Sequence, residues 1–370
     1  MDDLLYKVAL EMIPMVGSIT AKKLLAYCGN AEAVFRETKV NLLKIPNIGE
    51  GIANSILNKN VLKKAENELV FMQKNNIEAL FYADDNYPHC LFQCEDSPII
   101  LFKKGDVDLN AYRTISIVGT RNCTSYGTEF CEKLIATIAE QEYNTVIVSG
   151  LAYGIDVCAH KAALKYGIPT VAVVGTGLDM VYPAAHKSIA NQIIEQKGAM
   201  LSDFPTQTVI DPKNFIRRNR IIAGLSEVTI VVESAEKGGA MVTADIAASY
   251  NRDVLAFPGR VGDKFSAGCN KLIKNNIAAM IESIDDLVAA MGWDSPSERL
   301  TTKQLPLFDM LNPEEMSIVN VLKENEIEII DVIARKTGLP MAKLSALLLN
   351  LEFSGYVKAL PGKAYILKRN

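Results

Sequence analysis

The chain has 370 residues, 49% hydrophobic and 22% charged, with 39 Lys+Arg against 43 Asp+Glu for a net charge of −4. That length exceeds the ~250–300 residues at which a single core stops growing, so two or three domains are expected; the composition excludes a wholly disordered, collagenous or coiled-coil chain. The acidic balance argues against a broad nucleic-acid-binding face, but a sum over the chain leaves room for a local basic pocket.

Cys28, Cys90, Cys94, Cys123, Cys131, Cys158 and Cys269 are odd in number and form no CxxC pair, and there are three histidines. That pattern supports no zinc site or other metal and reads as buried thiols of a reducing compartment. Asp2 and Asp3 have the wrong charge for the start of a signal peptide. No apolar run reaches the ~18 residues of a membrane helix. A cytoplasmic protein with no membrane partner is expected.

In chain order, residues 1–80 are expected to form a small helical domain of the helix-hairpin-helix or SAM-like kind. Ile13-Pro14-Met15-Val16-Gly17 leads into Thr20–Leu25, and Ile45-Pro46-Asn47-Ile48-Gly49 leads into Ile52–Leu57. Each reads as helix, tight turn and helix, with the Gly free to take a positive φ or to allow close backbone approach. The second copy matches a helix-hairpin-helix motif well; the first has Met15 where a small residue is expected. Sequence-independent DNA backbone contact and a purely packing role both fit. Residues 61–82 add a helix and a short strand, and Pro98–Gly105 adds another strand between turn residues.

Residues 81–291 alternate apolar runs with helical periods. Strands are expected at Ile115–Gly119, Val146–Ser149, Thr170–Val174, Ala199–Ser202, Val228–Glu233, Asp253–Phe257 and Ala278–Ile281. They are continuously apolar, as strands covered on both faces must be, which gives an α/β fold with a parallel sheet. Tyr126–Ala139, with Phe130, Leu134 and Ile138 on one stripe, is a crossover helix. Residues 292–311 read as a linker. Residues 312–370 read as helices at 313–324, 329–337 and 341–353, then strands at Tyr356–Leu360 and Lys363–Leu367, a winged-helix pattern.

Small polar residues follow the central strands: Gly119-Thr120-Arg121-Asn122, Ser149-Gly150 through Gly154-Ile155-Asp156, and Gly175-Thr176-Gly177-Leu178-Asp179. Ligands of open α/β sheets bind beyond the carboxyl ends of the strands, and glycines there admit an anion to backbone N–H groups. The alternative is that these glycines only make tight turns. Arg217, Arg218 and Arg220 are the densest basic cluster; they suit phosphate, or else pair with Asp203, Asp211 and Glu233. No GxGxxG, GxxxxGK[ST] or GxSxG motif is present, so neither a nucleotide cofactor nor hydrolase chemistry is supported. Asp156 and His160, four residues apart on one helix, fit a structural hydrogen bond better than a catalytic pair.

Taken together, Gly119-Thr120-Arg121, Ser149-Gly150-Leu151-Ala152-x-Gly154-Ile155-Asp156, Gly177-Leu178-Asp179-x-x-Tyr182-Pro183, Arg218-Asn219-Arg220-Ile221-Ile222-Ala223-Gly224-Leu225-Ser226 and Pro258-Gly259 with Ser266-x-Gly268-x-Asn270 resemble the DprA/Smf DNA-processing family, in order over roughly 80–285. The resemblance implies an extended Rossmann-like domain that binds single-stranded DNA, dimerises, and helps load RecA on incoming strands during natural transformation, with no cofactor and no catalytic residue. Carried over to this sequence, Arg121, Arg217, Arg218 and Arg220 would hold phosphates. Asn219, Asn270, Lys271 and Lys187 would be polar contacts, and Gly119, Thr120, Ser149, Gly150 and Gly154 would shape the pocket. Ser202-Asp203 stands where Ser-Glu is usual in the family, and Asn275-Asn276 where a Gly-Ala end is usual.

Two other readings compete. A phosphoribohydrolase-like enzyme would carry PGGxGTxxE, but the nearest run, Lys237–Asp245, lacks the Pro, the third Gly and the spaced Glu. A winged-helix regulator of duplex DNA would want basic and amide side chains on its recognition helix, but 341–353 has one Lys among mostly aliphatic residues.

Overall fold

The structure is a computed structural model describing residues 2–110, 113–293, 312–324, 328–353, 356–360 and 363–367. Six helices open the chain: α1 (Asp2–Glu11), α2 (Ser18–Cys28), α3 (Ala31–Arg36), α4 (Lys39–Leu42), α5 (Glu50–Ile56) and α6 (Asn60–Lys74). In both expected hairpins the role of the glycine differs from expectation. Gly17 and Gly49 have φ −93° and −90° and sit at the N-caps of α2 and α5. The left-handed residues are Met15 (φ 67°) and Asn47 (φ 68°), two positions earlier. Asn enters that region more readily than most side chains.

The central segment adds β1 (Ile77–Phe81), α7 (His89–Phe92), β2 (Ile100–Gly105), β3 (Arg113–Val118), α8 (Ser125–Glu140), β4 (Thr145–Ser149), α9 (Ile155–Tyr166) and β5 (Thr170–Val173). It continues with α10 (Lys187–Glu195), β6 (Ala199–Ser202), α11 (Pro212–Leu225), β7 (Val228–Val231), α12 (Gly239–Ser249), β8 (Asp253–Ala256), α13 (Ala267–Lys274), β9 (Ala279–Met280) and α14 (Ile284–Met291). One nine-stranded sheet runs β1-β2-β6-β5-β4-β3-β7-β8-β9. The seven strands β3 to β9 pair in parallel, while β2 pairs antiparallel with β6 and with β1.

Side chains alternate across each strand, and here both sets are apolar. Val118, Val146, Val148, Val171, Val173 and Val231 pack with α11 and α12 on one face. Ile115, Ile117, Ile147, Val228 and Ile230 pack with α8, α9 and α14 on the other. That double burial is why the strands read as continuous apolar runs. Helix ends are set by local chemistry: Asp211 caps α11 ahead of Pro212, Ser283 and Asp286 form a capping box on α14, and Gly167 ends α9 in the left-handed region. Asn276, in the expected Gly-Ala position before β9, takes φ 55°, so Asn replaces Gly in the turn.

Ile77, Phe81, Ile99, Ile100 and Phe102, in and beside β1 and β2, belong to the same buried core as the helices α1 to α6. The boundary expected at 80/81 falls inside β1. The described residues up to Trp293 form one compact unit, and those from Asn312 a second; the expected linker lies almost wholly outside the described residues.

The second unit contains α15 (Pro313–Glu324), β10 (Glu328–Ile329), α16 (Ile330–Thr337), α17 (Met341–Phe353), β11 (Val357–Leu360) and β12 (Ala364–Leu367), with a sheet ordered β10-β12-β11. This is a winged helix. Ile318, Val319, Leu322, Ile333, Leu344, Leu348 and Leu351 form its core, so most aliphatic residues of α17 serve packing.

Candidate nucleic-acid interface

The strand order reverses between β3 and β7, because the chain winds outward from β3 to β6 on one side and from β7 to β9 on the other. At such a switch point the loops leaving the two strands part and open a crevice. A cavity of about 610 Å³ lies there. Val118–Arg121 line it from the end of β3, Asp156 from α9, Arg218 and Asn219 from α11, and Lys237–Ala240 from the start of α12.

Arg218 is 4% exposed. Its Nη1 donates to the Gly150 carbonyl at 2.7 Å and to the Val173 carbonyl, while its Nε has no partner. Burial lowers its guanidinium to about 10, which leaves it cationic at neutral pH. Burial pushes the Asp156 carboxyl up, and Arg218 with the backbone N–H groups of Ala152 and Gly150 pulls it back. Gly150 is required by this packing: a Cβ there would lie 2.6 Å from both Arg218 Nη1 and Asp156 Oδ2. Gly154 has φ 78°, and a side chain on it would strike the backbone of Thr120 and Arg121. These glycines therefore position the Arg121 loop and Arg218. The Thr120 N–H is already spent on the Glu233 carbonyl, 2.7 Å away, and the Ser149 hydroxyl on the Ile117 carbonyl at 2.6 Å.

The other arginines of α11 go elsewhere. Arg220 reaches Asp203 at 2.7 Å and the Asp96 carbonyl. Arg217 also reaches Asp203, at 3.2 Å, and Glu11 at 3.5 Å, and lies over the Phe204 ring. Asp211 caps α11 and Glu233 binds Thr124, so of the three suggested acids Asp203 is the partner. Asn219 Nδ2 donates to the Gly239 carbonyl at 3.4 Å. Asn270 exchanges two hydrogen bonds with Gly259, and Lys271 pairs with Glu236 at 3.0 Å. Lys187 is exposed at the start of α10. Of the expected contacts, the cavity thus brings together Gly119, Thr120, Arg121, Arg218 and Asn219; Ser149, Gly150, Gly154, Lys187, Arg217, Arg220, Asn270 and Lys271 do not line it.

Three features of the cavity were not singled out in the sequence as contacts. Lys237 is exposed on its wall, and neither it nor Arg121 has an ion-pair partner among the described residues. The first N–H groups of α12 open beside it at Gly238 and Gly239. The remaining wall is apolar: Tyr182, Ile210 and Ile216 are 44%, 43% and 55% exposed, and the Tyr182 and Phe215 rings lie 5.4 Å apart. The signal for Lys237 was its place immediately before Gly238-Gly239, in the loop between β7 and α12.

His160 is buried, and burial depresses it to about 3. The Thr170 hydroxyl donates to the Ile147 carbonyl, so it accepts from His160 Nδ1 at 2.8 Å. This is a neutral, structural imidazole, and its partner is Thr170.

The sequence model of the family "DNA recombination-mediator protein A" matches residues 78–292, and that of the "DprA winged helix domain" matches 309–363. The chain belongs to the DprA/Smf family. Protein Smf of Escherichia coli is 33% identical over 312 residues, covering 83% of this chain and 82% of that protein. DNA processing protein DprA of Streptococcus pneumoniae is 35% identical over 267 residues, covering 68% of this chain and 93% of that one. The crystal structure of the Streptococcus pneumoniae DprA superposes with a TM-score of 0.63 at 32% identity, over 77% of this chain and 97% of that one. A Helicobacter pylori DNA processing protein A, solved for its single-stranded DNA binding mode, gives 0.52 at 29% identity, over 59% and 97%. The DprA/Smf region therefore spans β1 to α14 and contains the whole switch-point cavity. No helix among the described residues is long and apolar enough to cross a membrane.

Proposed function

We propose that this member of the family is a single-stranded DNA-binding recombination mediator that holds the strand in the switch-point cavity. One observation carries the reading: three cations, Arg121, Arg218 and Lys237, face one carboxylate in a cavity whose opposite wall is exposed and apolar. Phosphates go to the cations and the α12 N–H groups. Bases go to the Tyr182, Phe215 and Ile216 surface, as in other sites that grip single strands by stacking and charge. A duplex hides its base faces and cannot use that wall. The Helicobacter pylori relative supports the same ligand class.

Further parts of the reading rest on the family: presentation of the bound strand to RecA, a homodimer through the Rossmann-like domain, action in the cytoplasm during natural transformation, and no catalytic step. The test is competition between single-stranded DNA and the same sequence as a duplex. Preference for the single strand, weakened across sequences by Arg121→Ala, supports the reading. Equal affinity for duplex, insensitive to Arg121→Ala, overturns it. RecA assembly on a strand covered by single-strand-binding protein checks the mediator role, with faster assembly expected, and light scattering checks for twice the chain's mass.

A further inference from the structure

A second cavity, of about 800 Å³, adjoins the first along the carboxyl edge of the sheet. The same two loops, those leaving β3 and β7, contribute residues to both. Residues 118–121 line the first and Thr124 and Tyr126 the second; Ser234 and Ala235 line the first and Glu233 the second. The far side of the second is the loop leaving β8, with Pro258, Arg260, Lys264 and Phe265.

Like the first, it combines cations with aromatic rings. Arg260 and Lys264 are exposed and have no ion-pair partner among the described residues; Lys264 Nζ lies 5.5 Å from the centre of the Phe265 ring. Tyr126 is 51% exposed, with its hydroxyl donating to the Pro258 carbonyl at 3.3 Å. Two acids are present. Glu233 is buried and accepts from the Thr124 N–H and hydroxyl, and Asp263 is exposed in the same loop as the two cations. Cations beside the exposed Tyr126 ring and the half-buried Phe265 ring, on the continuation of the same edge, suit the next nucleotides of a strand already held at the switch point.

We propose that the cavity between Tyr126 and the 258–266 loop is a second single-stranded DNA subsite, which takes the portion of the strand leaving the first cavity over the 119–126 loop. The proposal rests on the assignment of the first cavity to single-stranded DNA. It predicts that affinity rises with strand length beyond what the first cavity holds, and that the rise depends on Arg260, Lys264 and the Tyr126 ring.

The experiment compares the full-length protein with its Arg260→Ala/Lys264→Ala variant on oligothymidylates of about 6 and about 20 nucleotides, each titrated against salt. All substituted side chains are exposed, and equal thermal midpoints check the fold. The expected result is an unchanged short strand, a several-fold weaker long strand, and a long-strand salt slope shallower by about 1.4, from two phosphates at about 0.7 each. Tyr126→Leu should weaken only the long strand, and Tyr126→Phe should match the wild type. Long-strand affinity and slope equal to wild type, or an equal loss at both lengths, overturns the proposal. Arg121→Ala separates the two assignments: if it leaves both lengths unchanged while Arg260→Ala/Lys264→Ala weakens the long strand, the first cavity's assignment fails, the path from one cavity to the other fails with it, and the second cavity binds DNA on its own.

Discussion

At the scale of single residues, the three arginines of α11 show how a helix distributes one cluster to two tasks. Positions 217 and 220 are three apart and share a face, and both meet Asp203. Arg218 lies about 100° round the helix, lines the cavity and donates to the Gly150 and Val173 carbonyls. The density of the cluster was visible in the sequence; which arginine faces the cavity depends on the helix's rotation over the sheet, which spacing alone does not give. A contrast follows. Arg220→Ala leaves Asp203 buried beside Arg217 alone and should cost about 3–5 kcal/mol, the usual loss on breaking a buried pair. Urea unfolding would measure it. Once corrected for the folded fraction, its DNA affinity should match the wild type, whereas Arg218→Ala should remain weakened. Equal DNA defects in both would show that the division is wrong.

At the scale of elements, α11 is clamped from the N-terminal helices. Glu11, at the end of α1, has a side chain 6% exposed beside Arg217. Glu68 of α6 accepts from the Thr206 N–H at 3.1 Å and from its hydroxyl, in the segment leading to α11. Lys22 of α2 donates to Ser97 Oγ at 2.7 Å. Burial pushes Glu11 up to about 8, with Asp203 adding to the rise and Arg217 and Arg220 opposing it. Its folded value lies above the usual 4.5, so the folded state binds this proton more tightly. Its contribution is fully present below about 4.5 and is lost as pH rises through about 8. Glu11→Gln should therefore flatten the fall in stability across that window, read as thermal midpoint against pH; an unchanged slope would count against the buried acid. His160 acts in the opposite sense: its lowered value favours the fold above its usual 6.5 and withdraws that support as pH falls toward about 3. The strands themselves were legible, because burial on both faces leaves an unbroken apolar run. The two hairpin turns were legible in position but not in φ, since the sequence marks the glycine and the left-handed residue is Met15 or Asn47.

At the scale of the molecule, the acidic total and the basic cavity are compatible because the cations are few and local. The ordered motifs made the family and the α/β class readable in the sequence. The sharing of one core by the first helices with β1 and β2 was not readable, because it is set by which helix faces meet the sheet edge. Removal of residues from 295 onward, whose described part from Asn312 is a separate compact unit, should leave single-stranded DNA affinity within about twofold, under ~0.5 kcal/mol; a large loss would place part of the site in the winged helix. On the proposed reading, a compact cavity at the β3/β7 switch point holds the strand by its phosphates. The most direct measurement is the salt dependence of single-stranded DNA affinity for the wild type and for Arg121→Ala/Lys237→Ala. The variant's slope should be shallower by about 1.4, two phosphate contacts at about 0.7 each. An identical slope and affinity in the folded variant would contradict it.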